Sequence, residues 1–373
     1  LACGAAVFPF YKDYAAIGRN NRMLVKLIAP VNVINASYGY AKDHLVPQPT
    51  FQLIGEDAVT QPSSQPRLLV LVLGETTRAQ NLSLNGYPRQ TMPHLSKRSG
   101  IINFEQVSSC GTATATSVPC RFSNIPRKQC DASKAKYQDN LLDIAQRAGY
   151  RVLWRENDGG CKGVCDRVPN EKAEVFAEET PAAQELYYDD ILLNGLDHYL
   201  GPTPQNTLIV LHTNGSHGPE YYKRYRPDLP NKFTPECLTN AIETCDQQAL
   251  VNTYDNTVLN VDLLLDNTLN WLQQQQPNYQ VSLLYVSDHG ESLGEKGMYL
   301  HSAPYAIAPQ EQTHIPLIFW ADAASYADNH VDARCLAQQA RAQDFSHDNL
   351  FHSTLSWLRI KTDAYDPQLD WFN

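Results

Sequence analysis

No apolar run of 18 or more residues occurs anywhere in the 373-residue sequence, so no segment reads as crossing a membrane by itself. Positive charge is in deficit. Thirty Lys and Arg stand against forty Asp and Glu, a formal net charge of −10, which excludes a general nucleic-acid partner requiring a basic surface. The deficit does not exclude an anionic substrate, because a bound metal ion supplies local positive charge. There is no internal repeat. The first residues contain neither an initiator Met nor a basic stretch, so they make a poor signal peptide.

What is present is a globular composition, 43% hydrophobic and 19% charged, in a chain long enough for one large domain or two smaller ones. Nine cysteines is a high count for a cytosolic enzyme. Their spacing suggests local pairs, Cys110 with Cys120, Cys161 with Cys165 and Cys237 with Cys245, which fits an oxidising compartment. Zinc binding by Cys161 and Cys165 is the rival reading, but no second Cys/His pair at finger-like spacing completes such a site. Cys3, Cys130 and Cys335 are left over, so three disulfides is the minimum expected.

Leu1-Ala-Cys-Gly-Ala-Ala-Val-Phe-Pro-Phe10 is apolar and changes abruptly to Tyr11-Lys-Asp-Tyr14. It reads as the tail of a membrane helix cut off upstream, with an ordinary buried N-terminal segment as the other reading. Residues 11–65 are mixed and polar and run into Gln61-Pro-Ser-Ser-Gln-Pro66, a connector. The expected division is therefore residues 1–66 as membrane remnant and connector, and residues 67–373 as the catalytic domain.

Arg67-Leu-Leu-Val-Leu-Val-Leu-Gly74 has the continuous apolar character of a strand buried on both faces. Similar runs recur at Tyr150–Trp154, Thr207–His212, Val281–Ser287 and Ile315–Trp320. Helical patterns lie between them at Asn140–Ala148, Tyr187–Leu200 and Gln248 to about Gln275. Strand alternating with helix predicts an α/β fold, a mainly parallel sheet sandwiched between helices.

Such sheets place chemistry at strand C-termini. Glu75 follows the first strand directly, Asp288 and His289 follow the Val281–Ser287 strand, and His217 lies just past Thr207–His212. His301 sits in a further loop. Alone, each has a plain structural reading: a helix-capping Glu, a turn, an ordinary loop His. Together with the run Cys110-Gly-Thr-Ala-Thr-Ala-Thr-Ser-Val-Pro-Cys120 they form a set. Carboxylate and imidazole are donors that zinc takes, and a hydroxyl at an open position is ionised by it. A loop rich in Thr, Ser and Gly turns backbone N–H groups toward an anion while one hydroxyl acts as nucleophile. Attack on phosphorus or sulfur would give a covalent intermediate, with Lys162, His217 and His301 available to hold oxygens or protonate a leaving group.

The runs Gly74-Glu-Thr-Thr-Arg-Ala79, Asn85-Gly-Tyr-Pro88, Cys110-Gly-Thr-Ala-Thr114, Gly215-Ser-His-Gly-Pro-Glu-Tyr-Tyr222, Asn252-Thr-Tyr-Asp-Asn256 and Ser287-Asp-His-Gly-Glu-Ser-Leu-Gly-Glu295 resemble the phosphoethanolamine–lipid A transferases, both chromosomal and mobile colistin-resistance types. The resemblance extends from about residue 11 to 360. It implies an alkaline-phosphatase-like or sulfatase-like domain facing the periplasm, attached to the bacterial inner membrane by helices absent from this sequence. It implies transfer of phosphoethanolamine from phosphatidylethanolamine to a phosphate of lipid A in lipopolysaccharide, weakening polymyxin and colistin binding, by a protein expected to be a monomer.

By the same resemblance Thr114 is the nucleophile, and Glu75, Thr114, Asp288 and His289 hold a zinc ion, with further zinc left open. His217 and His301 match histidines that contact the phosphoryl group or additional zinc. Lys162 matches a substrate-pocket lysine and Thr112 a neighbouring pocket hydroxyl. Two positions depart from the pattern. Gln247 stands where the colistin-resistance enzymes carry His, and Asp158 where they carry Asn, four residues before the lysine. A carboxylate repels a phosphodiester unless it is protonated or paired. The alternatives are a hydrolase on the same residues, transfer of another phospho-headgroup, and a non-catalytic sensor.

Overall fold

The computed structural model describes residues 29–45, 49–129, 132–177 and 187–373. The expectations for Leu1–Phe10, Cys3 and Cys130 fall outside these residues. Two compact units divide the chain: residues 1–50 with 295–298, and residues 51–294 with 299–373. The smaller unit contains helix α1 (Val31–Leu45), which exposes Val33, Ile34, Tyr38 and Leu45. No helix among the described residues is long and apolar enough to cross a membrane.

The larger unit is built on a seven-stranded sheet. Its strands are β1 (Arg67–Gly74), β2 (Ile102–Phe104), β3 (Arg151–Glu156), β4 (Asn170–Lys172), β5 (Thr207–His212), β6 (Gln280–Ser287) and β7 (Leu317–Ala321), in the order β2-β7-β6-β1-β5-β3-β4. The run from β6 to β4 is parallel; β7 is antiparallel to both β6 and β2. The three-residue β2 is too short for the sequence to announce, and pairing supplies its stability.

Every residue of β1 is buried, and side-chain alternation splits it between two cores. Leu69, Leu71 and Leu73 pack with the Leu141–Ala145 and Leu350–Leu355 segments, while Leu68, Val70 and Val72 face Leu250, Tyr254, Val258 and Leu265. The first core is covered by α3 (Leu141–Arg147) and α6 (Asp348–Trp357), the second by the 29-residue α5 (Gln247–Gln275). Asn140 and Asp143 close a capping box on α3, and Asp246 caps α5 through the Gln248 and Ala249 amides. Helix α2 (Thr114–Arg121) follows the Thr-rich run and is considered below.

One expected element differs. The Tyr187–Leu200 pattern is not a single helix. The chain forms a 3₁₀ turn at Asp189–Leu193 and a separate short helix, α4 (Leu196–Leu200), broken at Gly195, whose φ of 66° is left-handed. Residues 51–66 lie in the larger unit, with Val59–Thr60 paired to Ile360–Lys361 and Ala58 in the core. Among the described residues the disulfides are Cys110–Cys120, Cys161–Cys165 and Cys237–Cys245, and Cys335 is exposed with a free thiol.

Register fixes where the chemistry lies. Gly74 pairs with Ser287, Leu73 with His212, and His212 with Glu156. The C-terminal ends of β1, β3, β5 and β6 therefore come level along one edge of the sheet, the edge where open α/β sheets bind ligands.

Candidate active site

Four residues predicted from the sequence converge at that edge. The Thr114 hydroxyl lies 3.1 Å from both Glu75 carboxylate oxygens and 3.5 Å from His289 Nε2. His289 Nε2 is 3.2 Å from Asp288 Oδ2 and 3.6 Å from Glu75 Oε1. Glu75, Asp288 and His289 are fully buried.

Each is held in place by backbone. Thr76, at a left-handed φ of 59°, gives its amide to Asp288 Oδ1 and its hydroxyl to Glu75 Oε1. The His289 amide also donates to Asp288 Oδ1, at 2.7 Å. His289 Nδ1–H donates to the Gly290 carbonyl, which fixes the tautomer and leaves the Nε2 lone pair facing the cluster. The loop after β5 packs directly on Glu75: the Ser216 amide donates to the Glu75 carbonyl, and a Cβ on Gly215 would stand 2.6 Å from that oxygen.

Thr114 is the first residue of α2, where the helix dipole favours an ionised oxygen. The Cys110–Cys120 disulfide ties the start of the Thr-rich run to the far end of α2. His347, which sequence reasoning missed, joins this run to β6: its Nδ1 accepts from the Cys110 amide and its Nε2–H donates to the Ser287 carbonyl. Burial, and next the Arg121 charge, push His347 down to about 3, so it stays neutral in this bridge. Arg121 is itself fully buried, and its charge acts on Asp288 and Glu75.

The electrostatics favour a cation. Burial first, then the charges of Asp288 and Asp158, raise the Glu75 carboxyl well above its ordinary range. Burial works against ionised Asp288 too, but His289 and Arg121 outweigh it and hold that carboxyl below its usual value. Asp288 Oδ2 is buried and makes no hydrogen bond. A tetrahedral zinc with bonds of about 2.0–2.1 Å needs donors about 3.3 Å apart. The Thr114–Glu75, Thr114–His289, His289–Glu75 and His289–Asp288 separations of 3.1–3.6 Å fit that spacing, and two carboxylates, an imidazole and a hydroxyl are zinc donors.

The remaining predicted residues form a rim. The His301 ring lies 4.5 Å from that of His289 and 5.4 Å from that of His217, and His301 Nδ1 hydrogen-bonds Glu291 at 3.0 Å. Burial, and next the His301 charge, lower His217 to about 3. The Thr112 hydroxyl donates to the Ala303 carbonyl and the Thr112 carbonyl accepts from Ser302, so Thr112 ties the Thr-rich run to the His301 loop. Gln247 turns its amide to the Leu293 carbonyl. Lys162, within the Cys161–Cys165 loop, donates to the Gly159 carbonyl and stands 3.9 Å from Asp158 Oδ2. Asp158 thus has an ammonium nearby but no hydrogen bond from it.

His212 and Glu156 were also missed. His212 Nδ1–H donates to Glu156 Oε2 at 3.0 Å, and His212 Nε2 is 4.0 Å from Asp158 Oδ2. Both are the last residues of their strands, one position short of the place after a strand that singled out Glu75 and Asp288.

A mainly parallel sheet carrying a hydroxyl against two carboxylates and an imidazole defines the sulfatase and alkaline-phosphatase class, and the sulfatase family profile matches residues 67–360. A second profile, "Phosphoethanolamine transferase EptA/EptB", matches residues 1–45. The chain is 47% identical to phosphoethanolamine transferase EptA of Escherichia coli K12, with 97% of this chain and 66% of the relative covered. It is 41% identical to phosphatidylethanolamine transferase Mcr-1 of Escherichia coli, covering 85% and 61%. The integral membrane protein lipooligosaccharide phosphoethanolamine transferase A of Neisseria meningitidis superposes with a TM-score of 0.86 at 45% identity, covering all of this chain and 70% of that one. The chain belongs to the phosphoethanolamine transferases. It spans about two thirds of the length of the curated relatives it matches.

Proposed function

We propose that this chain carries the catalytic part of a zinc-dependent transferase that moves phosphoethanolamine from phosphatidylethanolamine to a lipid A phosphate through a covalent Thr114 intermediate. The observation that carries the reading is the Thr114 hydroxyl, 3.1 Å from both Glu75 oxygens at the start of α2. Glu75, Asp288 and His289, with Thr114, are the residues that hold zinc. When bound, the ion supplies the positive charge that favours ionised Thr114 and offsets the charge of the reacting phosphate.

The chain's own groups do the rest. Thr114 Oγ1 forms a bond to phosphorus as the bond from phosphorus to the diacylglycerol oxygen breaks, and that oxygen leaves with a proton. His301, whose Nδ1 hydrogen-bonds Glu291, delivers it in this reading. Neutral His217 and the Lys162 ammonium line the rim and bind the non-bridging oxygens. In the second half-reaction an acceptor phosphate oxygen attacks the same phosphorus, and Thr114 regains its proton. A modified lipid A has less negative charge and binds polymyxin and colistin less.

Three disulfides accord with a periplasmic domain, and membrane attachment accords with the match over residues 1–45. The test is to incubate the zinc-loaded chain with vesicles of phosphatidylethanolamine and lipid A and weigh the lipids. Lipid A heavier by one phosphoethanolamine, with diacylglycerol as co-product, is expected from wild type and not from Thr114→Ala. Release of free phosphoethanolamine with unmodified lipid A would establish a hydrolase instead.

A further inference from the structure

We propose that Glu75, Asp158 and His212 form a second site for a divalent cation, suited to zinc, which shares Glu75 with the first. One donor atom from each residue lies within 4.8 Å of the other two. The residues come from three neighbouring strands: Glu75 directly follows β1, His212 ends β5, and Asp158 lies two residues past β3. Strand register therefore brings them together, and the rigid sheet holds them there.

His212 is the second, independent sign of a ligand. Its side chain is completely buried, yet Nε2 makes no hydrogen bond. A buried ring nitrogen without a partner is costly to a fold unless something occupies it. The other ring nitrogen is fully committed: Nδ1–H donates to Glu156 Oε2, which also accepts from Trp154 Nε1 at 2.8 Å. The second Glu156 oxygen takes the Asp158 amide at 2.7 Å. Glu156 thus fixes the imidazole so that its Nε2 lone pair faces the two carboxylates, and sets the backbone of a second donor. This is the carboxylate–histidine support that accompanies metal-ligating histidines.

The donors suit zinc, since two carboxylates and one imidazole leave a coordination position for water or a phosphate oxygen. Lys162 is the nearest competing cation, and at 3.9 Å from Asp158 Oδ2 it is beyond hydrogen-bonding distance. Asp158 stands beside the phosphate-binding rim, where a bare carboxylate would repel substrate; a bound cation turns that repulsion into attraction. The inference rests on Glu75 being a metal-facing carboxylate but is independent of whether the reaction is transfer or hydrolysis.

The test is zinc stoichiometry by equilibrium dialysis and elemental analysis on the full chain, with Cys3, Cys130 and Cys335 all replaced by Ser as background to remove thiol binding. Two zinc ions per wild-type chain are expected, and one each in Asp158→Asn and His212→Gln. Glu156→Gln is expected to weaken the second ion about 10–100-fold while leaving the first unchanged. Asp288→Asn is expected to disturb the first ion, which reports separately on the site of the proposed function. Should His212→Gln fail to fold by circular dichroism, the part-exposed Asp158→Asn decides alone. One zinc in wild type, or two retained in Asp158→Asn with unchanged affinity, would overturn the proposal.

Discussion

Gly215→Ala tests how tightly the Glu75 backbone is held. Gly215 has a φ of +51°, and a Cβ there would lie 2.6 Å from the Glu75 carbonyl oxygen and 2.9 Å from the Glu75 nitrogen. The loop cannot retreat freely, because Asp189 accepts from the Asn214 and Gly215 amides at 2.8 Å and Thr257 donates to Ser216 at 2.7 Å. Left-handed backbone costs alanine about 1–2 kcal/mol, and overpacking against fixed backbone costs about 1–3 kcal/mol more. We expect a loss of about 3 kcal/mol in urea unfolding of the metal-free protein, with m unchanged. Zinc affinity should fall as well, because the displaced residue supplies a metal-facing carboxylate. Gly149→Ala is the control: its φ is +91° but no atom lies within 4 Å of its Cβ, so only the conformational cost of about 1–2 kcal/mol remains. Equal losses in the two variants, or Gly215→Ala within 0.5 kcal/mol of wild type (about the scatter of a neutral surface change), would refute the reasoning.

Three further outcomes follow from the same geometry. Apparent zinc affinity should rise with pH above about 4.5, because burial and the Asp288 and Asp158 charges raise Glu75 and its retained proton competes with the metal; isothermal titration in buffers of different ionisation enthalpy reads that proton. Without metal the same raised carboxyl makes stability fall as pH climbs past the ordinary 4.5, whereas the lowered Asp288 contributes stability that is present above 3.8 and lost below it; urea midpoints of chelator-treated protein across pH 3–8 should show both limbs, and zinc should remove the upper one. His347→Ala leaves the Cys110 amide and the Ser287 carbonyl without their partner and should cost about 2–5 kcal/mol, with Thr114 reactivity falling alongside; stability within 0.5 kcal/mol of wild type would contradict the bridge.

Much of this architecture could be read before any coordinates, for definite physical reasons. β1, β5 and β6 are buried on both faces and therefore carry uninterrupted apolar runs. Glu75, Asp288 and His289 stood out because polar residues directly after such runs have few structural explanations. The same logic failed at Glu156 and His212, which are still inside their strands and look like ordinary polar ends; only the register of β3 against β5 shows that one orients the other. Asp158 looked unfavourable in isolation because its neighbours, Lys162 and His212, come from a disulfide loop and a different strand. His347 lies 237 residues from the amide it accepts from, beyond any local pattern. The Tyr187–Leu200 misreading came from apolar spacing that continues across Gly195 while the backbone does not.

The most direct test of the central claim is the intact mass of the zinc-loaded chain after exposure to a phosphatidylethanolamine analogue, with no acceptor present. One phosphoethanolamine on wild type, mapped by peptide sequencing to Thr114 and absent from Thr114→Ala, is the predicted result. Wild type that consumes the analogue without ever carrying the group, or carries it on a residue other than Thr114, would contradict the account.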